Sequence, residues 1–248
     1  MNALSNGLTI IVESTNKTFH TLDDWGFALG NNNYISDPQM ETTYINVPYR
    51  DGLIDASEAI SGRPIFKKRQ LSFSLGGVRE RNNWDAVISN LRNNIHGKKC
   101  KVVLDNDTSY YWYGRAFIED FDRFRGLGQF TLNMPDADPY KYDVLSSTEP
   151  WLWDPFNFET GVITQIGAVT ITGTGSITIP RGHMLTTPQI VVSDLLSATF
   201  EVTFDSSSYE LATGTNIIPS IMVGGDDEVE LEFTGSATVQ IVYRGGSL

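Results

Sequence analysis

Three histidines, His20, His96 and His183, are the side chains best suited to move a proton or hold a metal near neutral pH. They lie singly, far apart in the chain. A metal centre usually draws two or more such ligands at short fixed spacing, and a hydrolase triad sets a histidine beside a nucleophile. Neither pattern occurs, and there is no Gly-x-Ser-x-Gly elbow, no Gly-x-x-x-x-Gly-Lys-Ser/Thr phosphate loop and no His-Glu-x-x-His. No catalytic, cofactor-binding or metal-ligating residue is therefore predicted, and the chain reads as a protein that is not an enzyme and needs no cofactor.

Two other groupings invite a chemical reading. The run Asp226-Asp227-Glu228-Val229-Glu230-Leu231-Glu232 is acidic enough for calcium, but it alternates. Glu228, Glu230 and Glu232 fall on one face of a strand and Val229, Leu231 and Phe233 on the other, the pattern of a half-buried outer strand. Tyr110-Tyr111-Trp112-Tyr113 and Trp151-x-Trp153 are the aromatic stretches that a sugar site would want. In the first, aromatic rings cover both faces of the strand, which suits burial or a subunit contact better than an open platform. In the second, Phe156 and Phe158 stand close by, and the four rings read as pinning an interdomain segment against a domain.

The elements that would position these groups follow from charge and periodicity. Residues 1–142 carry 16 Lys and Arg against 17 Asp and Glu (−1), whereas residues 143–248 carry 2 against 13 (−11). So abrupt a shift predicts two surfaces with separate partners and makes nucleic acid an improbable partner of the second half. At 248 residues the chain has room for two β domains, each with its own core. No stretch approaches the roughly 18 apolar residues of a membrane span, and no secretory signal is visible at Met1–Val12. Cys100, the one cysteine, reads as a thiol in a strand.

In the first half, strands are predicted at Leu8–Val12, Thr43–Val47, Gln70–Leu75, Lys101–Leu104, Tyr110–Phe117 and Gln129–Met134. One helix is predicted in Asn83–Ile95, where Trp84, Val87, Ile88, Leu91 and Ile95 share a face. Asn82 or Asn83 would cap it and Gly97 would stop it. The second half alternates throughout, at Val169/Ile171, Ile177/Ile179, Phe200/Val202, Val229/Leu231/Phe233 and Val239/Ile241/Tyr243. Gly173-Thr174-Gly175, Asp205-Ser206-Ser207, Gly224-Gly225-Asp226 and Gly235-Ser236 read as turns between short strands, the mark of a β-sandwich. The expected organisation is a domain at 1–142, a linker at 143–160 interrupted by Pro150 and Pro155, and a second domain at 161–248.

Between the elements of the first half lies Asp37–Lys68, with Pro38, Pro48 and Pro64, many charges and a short apolar burst at Leu53-Ile54. A segment this long and aperiodic is either a mobile loop or a piece that pairs with another chain. Its stretch Arg50-Asp51-Gly52-Leu53-Ile54-Asp55, followed by Gly62-Arg63-Pro64 and Lys68-Arg69-Gln70-Leu71-Ser72-Phe73, resembles the N-terminal signature of the phage distal tail protein family. The order of parts up to Asp138-Pro139-Tyr140-Lys141-Tyr142 and the terminal Tyr243-Arg244-Gly245-Gly246-Ser247-Leu248 resemble that family too.

That resemblance implies a mainly β, two-domain fold. The N-terminal domain would be a β-sandwich with one α-helix that builds a six-fold ring, and the C-terminal domain a galectin-like or carbohydrate-module-like sandwich. It implies a structural protein of the virion, made in the bacterial host cytoplasm and placed at the tail tip. There it would join the tail tube protein to a tail-associated lysin-like hub protein and leave a channel for DNA. Baseplate or receptor-binding proteins would dock on the C-terminal domain, with no sequence-specific nucleic-acid binding and no membrane. Arg50, Asp51, Gly52, Leu53, Ile54 and Arg63 are the expected ring-interface residues. The alternative function is a carbohydrate-binding module contacting the host cell surface. The −11 balance and the thin supply of donors in the second half lead to the expectation that it binds proteins rather than free glycans.

Overall fold

The opening Leu-Thr-Ile-Ile-Val forms β1 (Leu8–Val12), whose alternate residues Leu8, Ile10 and Val12 are buried, as period-two patterning dictates. β1 pairs antiparallel with β2 (Lys17–His20) and with β8 (Lys98–Leu104). The computed structural model describes residues 6–78, 83–124, 126–148 and 166–248. Most of the expected linker and the cluster Trp151, Trp153, Phe156 and Phe158 lie outside them. The chain divides into two compact units, with Tyr142–Leu248 and Thr108–Tyr110 forming the second.

In the first unit, α1 (Thr21–Trp25), β3 (Phe27–Leu29), β4 (Tyr34–Ile35), β5 (Tyr44–Asn46), β6 (Leu53–Asp55), β7 (Arg69–Gly77) and α2 (Trp84–Ile95) precede β8. After it come the long β9 (Asp107–Phe124) and β10 (Leu127–Ala137). The strands run in the order β2-β1-β8-β9-β10-β7-β3, with β4 also on β7. β9 pairs with β8 through Asp107–Ala116 and with β10 through Phe117–Phe124, so one strand serves two partners in succession along its length. Each strand predicted in this half lies within or across an observed one. β2, β3, β4, β6 and α1 were not foreseen, being too short to show a period.

The helix α2 lies where the periodicity puts it, burying Trp84, Ile88, Leu91 and Ile95. Asn83 occupies the N-cap, but its side chain makes no capping hydrogen bond, so the cap expected from residue type is not made there. Gly97 follows with φ of 76°, a left-handed conformation that stops the helix cheaply only with glycine. Trp84 is the packing anchor of the unit: its ring meets Phe27 at 4.9 Å and its indole N–H donates to the Gly126 carbonyl at 2.7 Å. The aromatic run behaves as predicted for a covered strand, since Tyr111 and Trp112 are both buried, and the Arg69 guanidinium lies 4.8 Å from the Trp112 ring centre. Arg69, itself buried, donates to the carbonyls of Ser36 and Pro139 and so ties the segments on either side of the 37–68 stretch to the core.

Cys100 is fully buried in β8, and burial pushes its thiol up to about 11. The thiolate is the reactive form, so the native chain should resist a thiol reagent at pH 8 and react once denatured. Rapid labelling of the native chain would mean that β8 opens. Because the folded pKa is raised, the stability this thiol confers is complete below its ordinary value of 9.0. It is lost as the pH climbs from there through the folded value.

β11 (Lys141–Asp143) leads into the second unit, whose strands are β12 (Val169–Ile179), β13 (Gln189–Ser193), β14 (Glu201–Phe204), β15 (Ser207–Glu210), β16 (Gly214–Ile217), β17 (Val229–Val242) and β18 (Gly246–Ser247). Its main sheet has the order β15-β14-β17-β13-β16, with β12 also on β17, and β18 pairs with β11 outside that sheet. Of the four expected turns, Asp205-Ser206 is one: both residues have positive φ and join β14 to β15 as a tight hairpin. Gly224 also lies in a bend. Gly173 and Gly235 do not turn the chain. They face each other in mid-strand, and β12 and β17 run on unbroken for 11 and 14 residues. A side chain at Gly235 would come within 2.6 Å of the Thr199 carbonyl, so glycine is there for close approach rather than for a turn. The acidic run behaves as alternation predicts, with Leu231 and Phe233 buried and Glu230 and Glu232 exposed on β17.

Candidate assembly surface

The stretch that reads as an aperiodic loop is a two-stranded ribbon. β5 and β6 pair as Tyr44↔Asp55, Ile45↔Ile54 and Asn46↔Leu53, in a sheet of their own. The ribbon continues toward the core through the bridge Met40↔Phe66 and through Glu41 N–H to the Ile65 carbonyl at 2.7 Å and Lys67 N–H to the Gln39 carbonyl at 2.8 Å. Ser57 clamps its middle. The hydroxyl accepts from the Thr43 N–H and donates to Asp55, whose carboxyl is held below its usual range by the hydrogen bonds of Ser57.

Both faces of this ribbon are open. Tyr44, Ile45, Tyr49, Leu53 and Ile60 are all exposed, Tyr49 and Ile60 fully so, and neither β5 nor β6 buries a residue. A two-stranded hairpin with no layer beneath it is marginal in water, and so much exposed apolar surface in one element marks a contact site. Arg50, Asp51 and Gly52 sit at the turn, Gly52 with φ of 77°, and Leu53 and Ile54 begin the returning strand. Those five of the six expected interface residues are thus brought together at the far end. Arg63 is not among them. It lies half-buried near the base, where its charge acts on Tyr140, and Tyr140 packs edge-on against Phe66. Sequence reasoning missed Tyr44 and Ile45, which the pairing of β5 with β6 adds to the ribbon, and Tyr49, which lies in its turn.

The comparison with solved structures covers both units. The chain superposes on the crystal structure of SPP1 Dit (gp 19.1), described as a paradigm of the hub adsorption apparatus in phages infecting Gram-positive bacteria, with a TM-score of 0.58 at 16% identity, over 96% of this chain and 98% of that one. The chain has the distal-tail-protein fold. A chain of the virion of a native gene transfer agent particle also matches, at 17% identity over 56% of this chain and 95% of that chain. Its TM-score of 0.28 adds nothing to the assignment. No protein-family model matches the sequence, and no curated protein does.

Within this distal-tail-protein fold the three histidines have separate surroundings. His20 is the N-cap of α1, accepting from the Asp23 N–H and lying 3.2 Å from Asp105, while His96 accepts the Ile118 N–H. His183 lies in the second unit, in a cleft with Arg181. Among the described residues no three His, Cys, Asp or Glu side chains are grouped to hold a metal, and no helix is long and apolar enough to cross a membrane.

Proposed function

We propose that the chain is a structural subunit of a phage tail tip that closes into a six-fold ring, with residues 1–142 forming the ring and residues 161–248 carrying peripheral proteins. The observation that supports this reading best is the full-length likeness in fold to a phage hub protein, since the match spans both units rather than one common β module. The open ribbon supplies a means of assembly. A head-to-tail contact made by one arm on the next subunit closes when the rotation between neighbours divides a full turn. The arm carries charges of both signs, Arg50 and Asp51 at its turn and Asp55 and Glu58 on the returning limb, so a complementary charge pattern on the neighbour would fix its register.

On this reading the ring joins the tail tube protein to a lysin-like hub protein and leaves a channel for DNA. The acidic second unit takes up baseplate or receptor-binding proteins, and the chain is a binding platform rather than an enzyme. Light scattering and negative-stain images of the full chain test the reading. A closed ring of six with a central opening is the expected result, and a chain that stays monomeric at every concentration tried would end it.

A further inference from the structure

We infer, on the reading of residues 161–248 as a carrier of peripheral proteins, that the open edge of β12 takes up an extended basic segment of such a partner as an added strand. β12 runs for 11 residues, Val169–Ile179, and pairs along its whole length with β17. Its other edge has no strand on it among the described residues. In an antiparallel ladder every second N–H and C=O points away from the partner strand. An edge of this length therefore presents unmet donors and acceptors along about 35 Å.

Native sheets blunt such an edge by keeping it short, or by setting a Lys, a Pro or a bulge on it. The strands that end the sheet orders elsewhere, β2, β3, β15 and β16, have only three or four residues each. β12 has none of these devices. Its sequence holds no charge and no proline, and its register with β17 runs without a shift. Its Val, Ile and Thr residues favour the extended backbone that a template needs. Thr170, Thr172, Thr174, Ser176 and Thr178 are exposed on the outer face, while Ile171, Ile177 and Ile179 are buried on the inner one. A side chain at Gly173 would meet nothing within 4 Å, so the inner side of the edge is open at its middle.

Charge decides the occupant. Thr178 and Ser176 face Glu230 and Glu232 across the ladder. On the far side of β17, Glu232 faces Thr203, and Glu201 stands directly opposite Glu210. Like charges so placed destabilise a sheet. None of the six strands of this sheet carries a Lys or Arg to offset them. A second copy laid β12 against β12 would bring two such faces together, in a half with 2 cations against 13 anions. A partner with Lys or Arg on its outer face places them two strand spacings, about 10 Å, from the backbone of Glu230 and Glu232. A Lys and a Glu side chain close that gap between them. Apolar residues at the alternate positions would cover the open stretch at Gly173. The occupant is thus a segment that alternates basic and apolar residues, held by main-chain bonds and selected by its side chains.

Fluorescence anisotropy of a labelled peptide alternating Lys and Val, titrated with the full chain, tests the edge. Two controls accompany it, the same peptide with Glu for Lys and one of equal composition with its Lys and Val in separate blocks. The alternating peptide should bind about tenfold or more tighter than either control. Hydrogen-exchange mass spectrometry should show β12 slowed by it. Thr174→Lys with Thr178→Lys should weaken binding about tenfold without lowering the melting temperature, since both positions are exposed. Glu230→Gln with Glu232→Gln leaves the edge intact and should weaken binding as well. The proposal is overturned if the alternating peptide does not bind, if a control binds as tightly, or if the slowed amides lie elsewhere. It is overturned too if both double variants bind undiminished. The same holds if every β12 amide is already slow in the chain alone, the edge then being covered by residues 149–165 or by a second copy. A ring that assembles without taking the peptide ends this inference alone. A chain that stays monomeric yet takes the peptide along β12 supports the edge and ends the ring.

Discussion

Replacing Leu53 and Ile54 together with Ser is expected to drop the ring to monomers while leaving each subunit folded. Leu53 is 58% exposed and Ile54 half-buried in a ribbon that forms a sheet of its own, and neither belongs to the buried core of the first unit. The substitution therefore removes little from the isolated chain. At an interface Leu53 would go from mostly open to covered and Ile54 from half-covered to covered, each worth up to roughly 1.5–3 kcal/mol. Both are lost at every contact of a closed ring, so the equilibrium moves by several orders of magnitude. Light scattering reads the assembly, and circular dichroism with a thermal melt reads the fold. A full ring in the double variant would put the interface elsewhere. An unfolded monomer would mean that the ribbon packs on its own subunit.

The second large effect is on stability. Trp84→Ala should cost about 3–5 kcal/mol, a large share of the roughly 5–15 kcal/mol that holds a domain together. Trp84 is 1% exposed and lies in a slot made by two glycines: a side chain at Gly77 would come 2.8 Å from the ring and one at Gly128 2.9 Å. Truncation empties that slot, takes the contact from Phe27 and leaves the Gly126 carbonyl without its indole donor. The melting transition of the first unit should fall by roughly 10 °C or more. The second unit has a separate core around Phe200, Phe233 and Ile241, and its transition should stay in place. Gly128→Ala approaches the same slot from the other side and should cost about 1–3 kcal/mol by overpacking. A Trp84→Ala chain that melts with the parent would show that α2 is not the anchor of this core.

The sequence by itself determined whatever is written within about ten residues. The α2 face of Trp84, Ile88, Leu91 and Ile95 is a local period, and so is the alternation of Val229, Leu231 and Phe233. The change from −1 to −11 at residue 142 needs only counting, and the mainly β, two-domain reading follows from these together with the resemblance around Arg50–Ile54 to the distal tail protein family. Hydrophobic burial forces such patterns wherever one face of an element is covered, so they survive in the sequence.

Tertiary structure decided what depends on partners far along the chain. Gly173 and Gly235 carry the composition of turns, and only the pairing of β12 with β17 makes them mid-strand positions of close approach. Pro48, Gly52 and the mixed charges of 37–68 carry the composition of a loop, and only the register Ile45↔Ile54 makes them a ribbon with apolar residues on open faces. The cleft is the extreme case. Arg181, His183 and Tyr243 are ordinary surface or core residues in sequence, and they line one cleft because Ser147 holds the chain just past β17 and Gly224 leaves room for the turn at Gly182. A hydrogen bond or a steric gap between residues dozens of positions apart leaves no local period, so no reading along the chain finds it.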